Sequence, residues 1–345
     1  MVIAAEVGEG PSPTSVRTRG GTVPVQEDFM EQAAPFRSEL MAHCYRMLGS
    51  MHDAEDLVQE TYLQGWRSYE TFEGRASLRT WLYRIATSIC LRALENRARR
   101  ALPSGLGAGS ADPDVPLDNG DSPLGWIEPF PDAWWTPGSP EAAFAGKQSV
   151  RLALVAALQE LPARQRAVLI LRDVVQFPAA EVAQLLDTTP AAVNSALQRA
   201  RARLTEVGLT EDGTVEPADQ ERRELLDRYA AAFEQADVDA LTRLLRADVR
   251  LEMPPLRVWF SGREPVTRFL ASRGFAGVGG VAMVPTGANG QPALAAYHPD
   301  GDGVLRAHAL HVLTPGVGGV SGIFAFLDPE LFAAFGLPPT LRKAS

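Results

Sequence analysis

The side chains best suited to chemistry lie on one predicted helix near residue 200. Val193, Leu197, Ala200 and Leu204 repeat at helical spacing and form its buried face. The opposite face carries Asn194, Ser195, Gln198, Arg199 and Arg201. Asn and Gln can bond adenine through two atoms, and Arg can bond guanine or a phosphate. The set predicts a helix that reads duplex DNA, and the alternative is an ordinary solvated face.

The residues before this helix predict the element that would present it. A shorter helix begins at Pro178, and Thr189 can cap the next helix with Pro190 at its first position. Proline is tolerated there because the first N–H of a helix has no intrahelical partner. A turn of about three residues between two helices is typical of a helix-turn-helix. The capped turn therefore favours DNA binding over the solvated face.

Aromatic and basic side chains alternate between residues 71 and 84. Phe72, Trp81 and Tyr83 are interleaved with arginines across a loop at Gly74 and the start of a helix near Ser77. Single-stranded nucleic acid is bound by this mixture, since cations face the backbone and aromatic rings hold unstacked bases. Trp81 and Tyr83 could also be core residues. The hypothesis of single-strand binding therefore depends on the alternation of aromatic and basic residues.

An acidic helix start lies at residues 53–60. We expect Asp53 to be the N-cap, with Glu55 and Asp56 in the first turn, where the helix dipole favours anions. The apolar residues behind them leave two readings open. One is a capped surface helix, and the other is a docking face for a basic or helical partner.

Composition excludes several classes of protein. The length of 345 residues predicts two or three domains. A composition of 46% hydrophobic and 22% charged residues is typical of globular proteins. Two cysteines without a CxxC pair exclude a disulfide scaffold and a zinc finger, and they fit a reducing cytoplasm. No stretch has the roughly 18 apolar residues of a membrane helix, and the first residues lack the apolar core of a secretory signal. We expect a cytoplasmic protein with no membrane partner, no metal and no cofactor.

The net charge of −9 argues weakly against a nucleic-acid partner, but the charge is unevenly distributed. Residues 101–147 carry seven acidic side chains against one basic one, Lys147, and are rich in Pro and Gly. We expect an irregular linker there. The domains predicted are a flexible tail over 1–30, helical units over 31–100 and 148–207, and a last unit over 215–345.

The last unit changes in character. An amphipathic helix runs from Arg222 to Gln235, and five short strand patterns follow, which predicts an α+β domain. Its candidate acid and base groups are Asp248, Glu252, Tyr297, His298, His308 and His311. His308 and His311 are three residues apart on one predicted strand, so a regular strand would point them to opposite faces.

Several segments in order closely resemble the extracytoplasmic-function (ECF) group of bacterial sigma-70 factors. They are Asp53 to Thr61, Phe72, Ser77 to Ala86, Leu161-Pro162, Gln165-Arg166, Leu171 to Asp173 and Val193 to Arg201. The match covers about residues 31–205.

The resemblance implies partners and roles. Core RNA polymerase would be bound through its beta-prime clamp helices and beta flap. The clamp would meet Asp53, Glu55, Asp56, Leu57, Gln59 and Glu60. The minus-ten promoter element would be recognised and melted by Phe72, Arg75, Ser77, Arg79, Trp81, Arg84, Arg97, Arg99 and Arg100. The minus-thirty-five element would be read by Asn194, Ser195, Gln198, Arg199, Arg201 and Arg203.

Residues 215–345 resemble a SnoaL-like domain, a cone-shaped fold also seen in polyketide cyclases. The segments responsible are Leu226 to Phe233, Asp239 to Leu241, Leu251 to Pro255, Trp259 and Ser261 to Arg263. This fold tends to have a concave pocket, which Met253, Trp259, Tyr297 and His311 would line for a small-molecule ligand.

The fold class predicted is therefore two all-α sigma domains, the second a helix-turn-helix, followed by an α+β SnoaL-like cone. We expect a non-catalytic sigma factor whose last domain is regulatory. One alternative is a ligand-responsive helix-turn-helix regulator, which leaves residues 53–100 without a purpose. The other is a cyclase or isomerase with DNA-binding appendages.

Overall fold

The computed structural model describes residues 15–18, 21–74, 76–95, 98–117, 125–135, 150–206, 219–275, 280–300 and 302–342. Near the N-terminus, strands β1 (Ser15–Thr18) and β2 (Gly21–Pro24) form an antiparallel pair. Helix α1 (Val25–Ala33) and a 3₁₀ turn (Ala34–Phe36) follow.

Helix α1 corrects the expected boundary of the flexible tail, which we placed at residue 30. Phe29 is fully buried in the core of the first helical unit. Its ring lies against Gly65, where an added Cβ would be 2.7 Å from the ring. A side chain at residue 65 would therefore push α1 away, and α1 belongs to the folded unit.

The first helical unit consists of α2 (Arg37–Leu48), α3 (Met51–Ser68) and α4 (Leu78–Glu95). Gly49 ends α2 in the left-handed conformation, with φ of 72°. Ser50 caps α3, and its Oγ accepts a hydrogen bond from the backbone N of Asp53 at 3.1 Å. Our prediction of Asp53 as the N-cap is therefore wrong by three residues. Asp53 lies in the first turn of α3, where its charge still favours the helix dipole.

The second helical unit consists of α5 (Leu152–Gln159), α6 (Ala163–Leu169), α7 (Ala179–Leu185) and α8 (Pro190–Glu206). A wider helical turn over Ile170–Val174 continues α6. Thr189 accepts a hydrogen bond at Oγ1 from the backbone N of Ala192, at 3.2 Å. This bond confirms the predicted cap, and α7 and α8 form the expected helix-turn-helix.

The C-terminal unit is a mixed sheet packed against helices. Its helices are α9 (Asp219–Glu234), α10 (Val238–Leu244), α11 (Arg263–Phe269) and α12 (Leu331–Ala334). Its strands are β3 (Leu245–Glu252), β4 (Trp259–Ser261), β5 (Ala282–Ala288), β6 (Gln291–Pro299), β7 (Val304–Gly316), β8 (Gly319–Phe326) and β9 (Thr340–Arg342). The sheet order is β4-β3-β8-β7-β6-β5, with β9 on β7, and β3–β8 is its parallel pair. The α+β prediction is confirmed.

Two hydrophobic cores lie on the two faces of this sheet. One is closed by α9, α10 and α11. The other face, with Ala295 and Tyr297, joins a single core that continues through both helical units. The C-terminal unit is therefore packed against the rest of the chain.

The acidic linker is irregular, as expected, but it is packed. Two 3₁₀ turns, Pro103–Gly105 and Asp132–Trp134, interrupt its described parts. Leu102, Ile127 and Phe130 are buried. The Phe130 ring lies 4.8 Å from that of Tyr45 in α2. The linker therefore contributes to the core and is more than a solvated spacer.

Candidate functional site

The exposed face of α8 has the composition that the sequence predicts. Val193, Leu197 and Ala200 are buried beneath it. The residues that face solvent on α8 include Asn194, Ser195, Gln198 and Arg199. Their amide and guanidinium groups are presented together on a rigid helix, which is the geometry needed to reach base edges in a major groove.

Two further arginines of α8 have partners within the chain. Arg201 forms a two-bond ion pair with Asp173, at 2.7 and 2.9 Å. Arg203 lies 3.1 Å from Glu206 and 3.9 Å from Glu160. Both remain about half exposed, so a phosphate could compete for them. The structure thus separates the exposed side chains that we predicted to read bases from the paired flanking cations.

The aromatic residues of the loop before α4 form one cluster with α1 and α3. The rings of Phe72 and Trp81 are 4.9 Å apart, and Trp81 also meets Tyr69 and Phe29 at 6.4 Å. Phe72 and Trp81 are half-buried. They are therefore both core residues and partly available to an unstacked base.

Most of the cations predicted to contact the minus-ten element are engaged inside the chain. Arg79 forms a two-nitrogen ion pair with Glu39 at 2.8 to 3.1 Å. Arg100 binds Asp53 at 2.8 Å and the carbonyl of Trp126 at 2.9 Å. Arg99 pairs with Glu160, and Arg84 is exposed and lies 3.2 Å from Asp187. Ser77 is exposed and caps α4 through its Oγ. Arg75 and Arg97 lie outside the described residues.

The first part of α4 faces the helix-turn-helix unit. The hydroxyl of Thr80 donates to Glu181 of α7 at 2.5 Å. The guanidinium of Arg79 lies 4.9 Å from the ring centre of Phe177, which precedes α7. Arg166 of α6, which is buried, donates to the carbonyl of Met47 at the end of α2. The part of the predicted minus-ten surface around Arg79 is thus covered in this arrangement, whereas the exposed face of α8 is open.

The acidic residues of α3 do not form one free surface. Asp53 is bound to Arg100, and Glu55 lies 3.3 Å from Arg37. Glu60 lies 3.7 Å from Arg92. Asp56 and Gln59 are exposed, and Leu57 is half-buried. Three of the predicted docking acids are therefore paired within the chain, whereas Asp56 and Gln59 are exposed.

An apolar groove beside these acids was missed by sequence reasoning. Its volume is about 610 Å³, and its lining includes Met30, Gln59, Tyr62, Leu63 and Trp66. Met30, Leu63 and Trp66 are 49%, 54% and 39% exposed, which is unusual for large apolar side chains. Spacing does carry a signal, because Gln59, Leu63 and Trp66 follow one another at helical intervals on α3. Exposed apolar patches of this kind mark binding surfaces.

The four residues expected to line a C-terminal pocket are not brought together. Tyr297 packs on Phe332 at 5.1 Å, in the core shared with the helical units. His311 lies on the other face of the sheet from Tyr297. It is the cross-strand neighbour of Leu294 and lies next to Tyr229. Trp259 instead donates its indole N–H to a linker carbonyl, that of Gly107. The sheet separates these side chains, so the expected common pocket is wrong.

The histidines of this unit also depart from expectation. Ala296 pairs with Ala309 but Tyr297 pairs with Ala307, so His308 is an extra residue at a β-bulge. The bulge turns His308 onto His298, with ring centres 3.8 Å apart, on the face that carries His311. The prediction of opposite faces for His308 and His311 is therefore wrong. Burial, followed by the neighbouring histidines, lowers the pKa of His311 to about 3.

Glu252 is the remaining carboxylate of chemical interest in the C-terminal unit. It is 2% exposed, and burial raises its pKa. Its Oε2 accepts a hydrogen bond from the backbone N of Ser104 in the linker, at 2.9 Å. The group is thus bound by the chain itself. Among the described residues, no cluster of three or more His, Cys, Asp or Glu could hold a metal ion, and no helix in these ranges is long and apolar enough to cross a membrane.

Comparison with known proteins agrees with this geometry. The model of sigma-70 region 2 matches residues 34–100, and that of sigma-70 region 4 matches residues 151–204. The chain is 49% identical over 316 residues to the ECF RNA polymerase sigma factor SigG of Mycobacterium tuberculosis, covering 91% of this chain and 85% of that protein. It is 29% identical over 324 residues to SigJ of the same organism, covering 89% and 94%.

One solved structure shares most of the fold. The crystal structure of Mycobacterium tuberculosis SigJ superposes with a TM-score of 0.58 at 24% identity, and the match covers 90% of this chain and all of that one. The helix-turn-helix with its open face and the two region models define a sigma-70-type transcription protein. The chain belongs to the ECF RNA polymerase sigma factor family. It therefore functions as a sigma factor, which binds core RNA polymerase and directs promoter recognition.

Proposed function

We propose how the surfaces divide the work of a sigma factor. The exposed face of α8 reads the minus-thirty-five element as duplex DNA, through Asn194, Ser195, Gln198 and Arg199. The loop and helix start around Phe72 and Trp81 hold unstacked bases of the minus-ten element. The observation that carries the proposal is the open polar face of α8 above a fully packed helix-turn-helix.

Core polymerase docks on α3, and the apolar groove supports this assignment. Leu63 and Trp66 supply exposed apolar area, while Asp56 and Gln59 border it with polar groups. An apolar centre with a polar rim is the usual composition of a protein interface. The beta-prime clamp would occupy this groove, and the beta flap would meet the helix-turn-helix unit. Both encounters would take place in the cytoplasm.

A binding experiment tests the docking surface. Leu63→Ser in the full chain should weaken binding to purified core polymerase about tenfold, since a buried interface anchor contributes about 1–2 kcal/mol. Val317→Ser is the matched control, because Val317 is 71% exposed on a distant hairpin. Equal affinities for the two variants would remove the groove from the interface.

The C-terminal unit is non-catalytic and regulatory in this proposal. Its one buried carboxylate is bound by the linker, and its candidate pocket residues are dispersed. The tip of its β5–β6 hairpin contacts the rest of the chain through Asn289, which bonds Tyr45 of α2, Phe130 of the linker and Val150 before α5. One residue thus links the C-terminal unit to three parts of the chain. The dispersal of these residues gives no support to a small-molecule ligand.

Transcription distinguishes this proposal from its alternatives. Promoter-specific run-off transcripts should require both the full chain and core polymerase, on a genomic template pool. Tight binding to duplex DNA without polymerase would favour a ligand-responsive regulator instead. Turnover of a cyclase or isomerase substrate that is lost in Glu252→Gln would favour the enzyme.

A further inference from the structure

The linker is held along one side by the C-terminal unit, and we propose that this unit is a receptor for residues 103–116 of the linker. Core polymerase then competes with the C-terminal unit for this segment. The inference rests on the proposed sigma function for its competition step, but not for the receptor itself. The occupant is the chain's own linker, and the C-terminal unit binds it through hydrogen bonds to its main chain.

The first contact is the buried carboxylate of Glu252. It accepts the backbone N–H of Ser104 within the turn Pro103–Gly105. A buried carboxylate without hydrogen bonds is costly, so the linker turn satisfies a group that the C-terminal unit would otherwise leave unpaired. The linker therefore supplies a hydrogen-bond donor to the buried Glu252 carboxylate.

The second contact covers the edge of the sheet. Strand β4 is the outermost strand on this side, and the backbone N of Ser110 donates to the carbonyl of Trp259 at 2.8 Å. The indole N–H of Trp259 donates to the carbonyl of Gly107 at 3.0 Å. Gly109 lies against the same indole, where an added Cβ would be 3.3 Å from ring atoms. The linker thus shields an edge strand and fits it closely because it has glycine there.

The third contact is made by Arg273, just beyond α11. Its guanidinium donates to the carbonyl of Val115 at 2.9 Å and to that of Asp114 at 2.8 Å. Together the three contacts span 12 linker positions, from Ser104 to Val115. A segment bound at both ends and in the middle is a specific docked peptide and not a chance contact.

Competition follows from the geometry of a promoter. The centres of the minus-ten and minus-thirty-five elements are about 25 base pairs apart, or about 85 Å of duplex. Here the two helical units touch, as the bond from Thr80 to Glu181 shows. Reading both elements at once requires the units to separate and the linker between them to take a new path. We therefore expect residues 103–116 to leave β4 when the linker takes that path.

Hydrogen exchange of the full chain tests the receptor without polymerase. In the wild type, peptides that report the amides of Ser104 and Ser110 should exchange slowly. Trp259→Phe and Arg273→Met should each raise that exchange about tenfold, because each removes bonds from the receptor side only. Arg268→Met is the matched control, since Arg268 is exposed on α11 and forms no hydrogen bond or ion pair with the described linker residues. Fast exchange in the wild type, or equal rates in all variants, would overturn the receptor.

Adding core polymerase tests the competition. The protection that the C-terminal unit gives to the linker amides of Ser104 and Ser110 should be lost in the holoenzyme. Arg273→Met should raise promoter-specific transcription several-fold at limiting polymerase, whereas Arg268→Met should not. If protection persists in an active holoenzyme, the proposed competition with core polymerase is wrong, but the binding of the linker by the C-terminal unit stands. Absence of any transcript, with normal exchange in the free chain, would instead count against the proposed sigma function.

Discussion

Replacing Asn289 should weaken the junction between the C-terminal unit and the rest of the chain. This residue is fully buried at the tip of the β5–β6 hairpin. Its Oδ1 accepts the backbone N–H of Phe130 at 2.8 Å, and its Nδ2 donates to the Tyr45 hydroxyl at 2.8 Å and to the carbonyl of Val150. Its φ of 57° also lies in the left-handed region, which Asn tolerates better than most residues.

The magnitude follows from what Asn289→Ala leaves behind. The Phe130 N–H and the Val150 carbonyl lose these partners, and each buried polar group left unpaired costs about 1–3 kcal/mol. The Tyr45 hydroxyl keeps its bond to the carbonyl of Glu128 at 2.7 Å, so it adds little. Alanine in the left-handed region adds about 1 kcal/mol. The junction should therefore weaken by at least about 3 kcal/mol.

Hydrogen exchange at Phe130 measures this loss directly. A change of about 3 kcal/mol in the local opening free energy corresponds to exchange roughly a hundredfold faster. Asn289→Gly removes the same bonds without the backbone penalty and should be about fivefold less severe. Val317→Ala on the exposed β7–β8 turn is the control. A change of less than threefold at Phe130 in Asn289→Ala would refute the reasoning.

Three further outcomes are expected. Arg199→Ala should reduce use of promoters that depend on the upstream element, by about tenfold if one base contact of about 1–3 kcal/mol is lost, as run-off transcription would show; unchanged promoter use would remove its assigned role. Trp81→Ala, in protein that retains its thermal transition, should impair strand opening more than polymerase binding, and a normal permanganate footprint would leave Trp81 as core alone. His43 and His311, whose pKa values burial lowers to about 3, should not titrate by NMR between pH 5 and 8. Since an unfolded histidine has a pKa near 6.5, each contributes stability above that pH, and about 2 kcal/mol of it should be lost by pH 5.

Short-range patterns made the helix-turn-helix predictable. The cap at Thr189, the proline at 190 and the buried stripe of Val193, Leu197 and Ala200 are all local, and each is found as expected. A helix places its two faces by spacing alone, so the exposed face follows once the buried face is known. The same reasoning found α3 but erred at its cap, because Ser50 and Asp53 are both good capping residues and spacing does not choose between them.

Long-range pairing could not be predicted in the same way. The sequence shows Arg100 as one of several arginines after a helix, and only the fold brings it to Asp53, 47 positions earlier. That pair joins one residue of the predicted polymerase set to one residue of the predicted DNA set. Likewise, the bulge at His308 reverses which face that side chain joins, because one inserted residue shifts the alternation of a strand.

The linker shows a different limit of prediction from sequence. Its Pro, Gly and Asp content correctly predicts irregular backbone, because such residues disfavour helices and strands. Composition says nothing about the groups that bind that backbone, however, and here they are Glu252, Trp259 and Arg273, more than 140 positions away. Because those groups bond main-chain atoms, the linker side chains need carry no matching pattern. A segment that resembles a spacer in sequence can therefore be held by specific hydrogen bonds, and regulation would then act on its release.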